Sequence, residues 1–212
     1  MEIKYGASFA LLGAFAFNLI VPHQTLADTV WDATKKSAAT YTLSSPYAGP
    51  TNVNFVGDVN GDGFDDVVVT SAKSDDSNAT IYNYLVYGSA NKISDGKLTA
   101  KASAIFTNSR PLTGVSRPVG GDINNDGYSD IMIGDDDNVY IIFGKSTKFT
   151  GTQTTKTASS ASILNPNSSE AEVVDVNNDN IEDLIVPGRL QKHSGSWVYI
   201  YHQHHNSASR CS

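Results

Sequence analysis

Three times along the chain a polar stretch crowded with aspartate and asparagine runs without a break into aliphatic residues: GDVNGDGFDDVVVT at 57–70, GGDINNDGYSDIMIG at 120–134 and VVDVNNDNIEDLIVP at 173–187. The aliphatic runs are short and rich in β-branched side chains, which predicts strands over Asp66 to Ser71, Asp130 to Gly134 and Asp183 to Pro187. A short strand is expected to lead into each polar stretch, at Asn52 to Gly57, Arg117 to Gly121 and Ala171 to Val174. A third follows after a turn, in ATIYNYLVYGS at 79–89, NVYIIFGKS at 138–146 and GSWVYIYHQ at 195–203. These third strands are apolar on both faces, as a sheet covered on both sides requires. Fourth strands are predicted at Ala102 to Thr107 and near Ser160 to Leu164.

Four antiparallel strands per repeat describe the blade of a β-propeller. The expected fold is all-β, with about three repeats at 51–110, 111–165 and 166–206, after a strand or linker at 28–50 and before a tail at 207–212. Three blades do not close a ring, and the third unit ends before its fourth strand. That leaves an open array, a piece of a longer propeller, or a protomer completed by a second copy. The segment AATYTLS at 38–44 is a candidate for a missing outer strand, in this chain or in a neighbour.

Ahead of the repeats, Gly6 to Val21 is almost wholly apolar, follows Lys4 and ends at Pro22, before Thr25-Leu26-Ala27. That pattern predicts a secretory signal over 1–27. As a membrane span it is short, 16 residues including Asn18 against the roughly 20 needed. No later segment is apolar for long enough to span a bilayer, so the mature chain is expected to be secreted, periplasmic or on the cell surface. Hydrophobic residues at 40%, charged residues at 17% and a mean hydropathy of -0.25 suit a soluble globular protein. The single Cys211 has no partner within the chain, so no disulfide framework is expected.

Aligned on their first aspartate, the three polar stretches share residue types at four positions. Position 1 is Asp58, Asp122 and Asp175; position 3 is Asn60, Asn124 and Asn177; position 5 is Asp62, Asp126 and Asp179; position 9 is Asp66, Asp130 and Asp183. Alternate side chains of a tight loop can converge on one point, with the main-chain carbonyl of position 7 (Phe64, Tyr128 or Ile181) turned inward and position 9 closing the cage. Such a set of hard oxygen donors suits calcium, which takes six to eight ligands in flexible geometry, better than magnesium. One ion per repeat, up to three, is the expectation. Position 6 is Gly63, Gly127 and Asn180, residue types that tolerate the positive φ of a sharp turn. The formal net charge is -7 and the nine aspartates at positions 1, 5 and 9 contribute -9, so the rest of the chain sums to +2. The acidity is concentrated in the loops. An EF-hand would need an acidic ligand at position 12 followed by a helix, whereas position 12 here is Val69, Ile133 or Val186 inside a strand.

The loop, the outgoing strand and a third strand closing in Tyr87-Gly88 or Phe143-Gly144 resemble FG-GAP repeats, the blades of the integrin α-subunit propeller, over most of residues 50–203. The resemblance implies calcium bound by the loop positions named above, on one face of a propeller. It departs at Thr70-Ser71-Ala72, Gly134-Asp135-Asp136 and Pro187-Gly188-Arg189 in place of the GAP element, and at Tyr201-His202 in place of the third FG. The implied function is recognition or adhesion outside the cell, with a protein or glycan ligand and a structural role for calcium. The alternative is a non-catalytic or partial propeller module of a secreted hydrolase or lyase, of phospholipase or polysaccharide-degrading type.

No G-x-S-x-G, phosphate-binding glycine loop or H-E-x-x-H is present, so no catalytic residue is assigned. Arg117, five residues before Asp122, is the nearest candidate base and reads more simply as a surface charge. His193, His202, His204 and His205 suggest a tail rather than a zinc site, and Trp197, Tyr199 and Tyr201 suggest packing rather than a sugar platform. Asp135 to Asp137 read as a hairpin turn. A pI near 5.0 with scattered basic residues disfavours nucleic acid. Asn78-Ala79-Thr80 and Asn167-Ser168-Ser169 have the form of glycosylation acceptors.

Overall fold

The computed structural model describes residues 40–43, 47–73, 80–91, 94–108, 117–135, 138–164, 171–188 and 197–201, all within one compact unit, Ala39–Ser212. The expected signal at 1–27, the asparagines of the two acceptor motifs, His193, His202, His204, His205 and Cys211 lie outside the described residues. No helix among the described residues is long and apolar enough to cross a membrane.

The described chain starts on a two-residue strand, β1 (Tyr41–Thr42), and builds a first blade from β2 (Tyr47–Gly57), β3 (Asp66–Lys73) and β4 (Ile81–Val86). A short strand β5 (Gly96–Lys97) and a one-turn helix α1 (Leu98–Lys101) then lead to the outer strand β6 (Ala104–Asn108). The second blade repeats the plan. It runs through β7 (Val119–Gly121), β8 (Asp130–Gly134) and β9 (Asn138–Ile142), then β10 (Gly151–Thr154) and helix α2 (Thr155–Ala158), to the outer strand β11 (Ala161–Leu164). The third blade holds β12 (Glu172–Val174), β13 (Asp183–Gly188) and β14 (Trp197–Tyr201).

Each blade is an antiparallel meander, ordered β2-β3-β4-β6, β7-β8-β9-β11 and β12-β13-β14. The all-β, partial-propeller expectation therefore holds, and every predicted strand is found. Two features were not expected. Strand β10 leaves its own blade and pairs in parallel with β6, making the first sheet five-stranded. Segment 38–44 contributes β1, which pairs in parallel with β5 rather than lying beside a third-blade strand.

Strand alternation puts aliphatic side chains on both faces of each blade, and the blades pack face to face through them. Val68, Leu85, Ala104 and Phe106 of the first blade meet Ile131, Ile133 and Ile142 of the second. The opposite face of the second blade, with Met132, Val139, Ile141 and Ile163, packs against Val173, Leu184 and Val186 of the third. On the far face of the first blade, Val69 and Tyr84 are covered by Leu98 of α1 and by Tyr41 and Leu43. Loops between the first two strands of every blade carry the repeated aspartates.

Candidate metal centre

The three loops share one backbone geometry. In the first, the carboxylate of Asp58 at position 1 accepts the amides of Asp62 (3.0 Å) and Gly63 (2.7 Å). Asp122 accepts those of Asp126 (3.0 Å) and Gly127 (2.8 Å), and Asp175 those of Asp179 (3.2 Å) and Asn180 (2.8 Å). The carboxylate of position 5 accepts the amide of position 7, so Phe64, Tyr128 and Ile181 are held by Asp62, Asp126 and Asp179 at 3.2, 3.0 and 2.9 Å. A turn this tight needs two residues with positive φ. Position 4 is Gly61, Asn125 or Asn178 and position 6 is Gly63, Gly127 or Asn180, all with φ between 55° and 90°. The third loop lacks glycine and folds the same way because asparagine visits this region at small cost. Position 6 was expected; position 4 carried the same Gly/Asn signal.

Position 9 has a second task. Asp66 is fully buried; one oxygen accepts the Val59 amide (2.9 Å) and the other the Gly88 amide (2.8 Å). Asp130 does the same with Ile123 (3.2 Å) and Gly144 (2.9 Å), and Asp183 accepts Val176 (3.0 Å). The last aspartate thus ties the loop to the end of the third strand. This explains the Tyr-Gly and Phe-Gly pairs: a Cβ on Gly88 would sit 2.4 Å from the Asp65 carbonyl, and one on Gly144 2.4 Å from that of Ser129. Burial, with help from Asp62 and Asp58, pushes the Asp66 carboxyl up to about 6 against the lowering effect of its amide donors. Asp130 is pushed up to about 7, again chiefly by burial, with Asp126 and Asp122 adding to it.

Adjacent loops are braced to each other. The Ser129 amide donates to the Asp58 carbonyl (3.0 Å), the Lys145 amide to the Val59 carbonyl (3.0 Å), and the Asp122 amide to Glu182 (2.6 Å). These contacts, which fix loop against loop across both blade joints, were not legible in the sequence.

Among the described residues no three carboxylates or imidazoles converge into a metal cage, because the loop oxygens serve the loop's own amides. Position 3 tests whether the set fits a cation. In the second and third loops, Asn124 and Asn177 accept the amide of position 5 and donate to its carboxylate (2.9 Å each). In the first loop Asn60 is only 5% exposed and its amide nitrogen has no partner. Turning that amide over would present its oxygen at the orphaned point, so the residues fit a cation. Asp62 is instead engaged by Lys148, whose ammonium lies 3.4 Å from its Oδ2 and over the Tyr87 ring. Lys148 comes from the β9–β10 connection and gave no sequence signal.

Other candidates fall elsewhere. Asp135 accepts the Asn138 amide at 2.7 Å in the β8–β9 hairpin. Arg117 is exposed and lines a cleft of about 570 Å³ with Phe55, Glu172 and Val198.

A family model described as FG-GAP-like repeat matches the chain twice, over residues 58–133 and 122–186. No curated protein and no solved structure matches it.

Proposed function

The chain belongs to the FG-GAP-like repeat family, and from that premise we propose that it is a calcium-binding propeller module of extracellular recognition or adhesion, its calcium structural and its ligand a protein or glycan. What supports the metal is the threefold recurrence of one loop geometry with oxygen-bearing side chains at positions 1, 3, 5 and 9, together with the orphaned Asn60 amide. Asp58, Asn60, Asp62, Asp66 and the Phe64 carbonyl would hold the first ion; Asp122, Asn124, Asp126, Asp130 and Tyr128 the second; Asp175, Asn177, Asp179, Asp183 and Ile181 the third. Bound calcium supplies the positive charge that offsets the crowded carboxylates. An exported chain would meet millimolar calcium, in the range where extracellular calcium modules bind. The apolar Gly6 to Val21 segment supports export.

Isothermal titration of calcium tests the loop assignment. Asp62→Ala and Asp126→Ala should each lower the stoichiometry by one ion, and a stoichiometry unchanged in both would remove the loops as the site.

A further inference from the structure

The strand that follows the third strand of the second blade reaches back to the blade before it. Strand β10 pairs in parallel with β6, Gly151 opposite Ala104 and Thr154 opposite Thr107. In the first blade β5 holds the same place, directly before a one-turn helix, and pairs in parallel with β1, Gly96 opposite Tyr41 and Lys97 opposite Thr42. By this equivalence β1 stands where the outer strand of a preceding blade belongs. The third blade is the one short of such a strand: among the described residues β14 pairs with β13 alone.

The side chains at the two ends match the same scheme. Val68 and Met132, two residues past the last loop aspartate of their blades, are buried against the next blade. Ile185 holds that register place in the third blade, and the face it shares leaves Val198 65% and Ile200 48% exposed. Ile131 and Ile133, and Leu184 and Val186, receive the blade before them; their equivalents Val67 and Val69 share a face with Val53 and Phe55, which are 60% and 75% exposed. One end of the array thus presents the giving face of a blade joint and the other the receiving face.

We infer that a second copy of this chain supplies the preceding blade. Strand β14 of one copy lies antiparallel to β1 of the other, and Val198 and Ile200 pack on Val53 and Phe55. The joint is the one the chain already makes twice internally. Head-to-tail contacts of this kind either close or polymerise. Two copies give six blades, inside the range of about 4 to 8 at which propellers close. The inference is independent of what the loops bind.

Light scattering of the purified chain in millimolar calcium should return twice the 22.6 kDa mass of one chain. Phe55→Lys and Ile200→Lys, both at exposed positions that a folded single copy tolerates, should each return the mass of one chain. A monomeric parent at tens of micromolar would overturn the proposal. So would a dimer that survives Phe55→Lys but not Ile200→Lys, since that pattern belongs to two third blades packed on each other.

Discussion

At the scale of single residues, the loops set a buried charge against a hydrogen-bonding role. Asp66 and Asp130 anchor the loop to Gly88 and Gly144, yet burial pushes their carboxyls up to about 6 and about 7. Between about pH 4 and 7 the folded chain then keeps protons that the unfolded chain has lost, so these groups make stability fall as pH rises. In chelator, the parent should lose stability relative to Asp130→Asn between pH 4.5 and 7, as read by urea denaturation; a constant difference between the two would refute the pH effect. Lys148 bears on the same balance. Its ammonium engages Asp62 where Asn124 and Asn177 serve the other loops, so calcium in the first loop must displace it. Lys148→Met, which keeps a stem over Tyr87, should tighten calcium binding at the first loop several-fold and leave the other two unchanged. Equal affinity in both chains would show that the lysine does not compete.

At the scale of elements, the β9–β10 connection joins two blades. Phe149 is buried beside Phe106 in an edge-to-face contact at 5.8 Å, and its amide donates to the Tyr87 hydroxyl at 2.8 Å. Phe149→Ala should cost about 3 to 5 kcal/mol, the usual range for removing a buried aromatic ring. A loss under 1 kcal/mol in denaturant unfolding would mean that the connection is not part of the blade joint. This element also marks where the sequence stops being informative. Strands such as Asp66–Lys73 and Asp130–Gly134 announced themselves by aliphatic runs after a polar loop, and asparagine at positive φ was readable in Asn180. Strand β10 reads Gly-Thr-Gln-Thr, mostly exposed, with no apolar alternation; its pairing with β6 is decided by a backbone edge 47 residues away. Lys148 and Asp62 are 86 residues apart, and only the packing of one blade on another brings them together. What local pattern encodes was legible; what arises at blade joints was not.

At the scale of the whole molecule, the loops lie between the inner strands of three blades and are tied to one another through Ser129 and Glu182, so an ion bound in one loop stiffens a joint rather than a turn. In the calcium reading, the unfolded chain binds the ion weakly because its carboxylates are dispersed, and the free energy of binding adds to that of folding. With dissociation constants of about 10⁻⁴ to 10⁻³ M, 10 mM calcium contributes about 1.4 to 2.7 kcal/mol per site. Summed over three sites, and with roughly 2 to 4 °C per kcal/mol for a chain of this size, the melting temperature should rise by on the order of ten degrees between excess chelator and 10 mM calcium. Magnesium at the same concentration should do less, because it gives up its water reluctantly and demands a stricter octahedron. The gain should shrink by about a third in Asp126→Ala, since one of three sites is lost. A melting temperature indifferent to calcium would leave the loops as purely hydrogen-bonded turns. The joints would then rest on the aliphatic faces of the blades and on the amide bonds between loops.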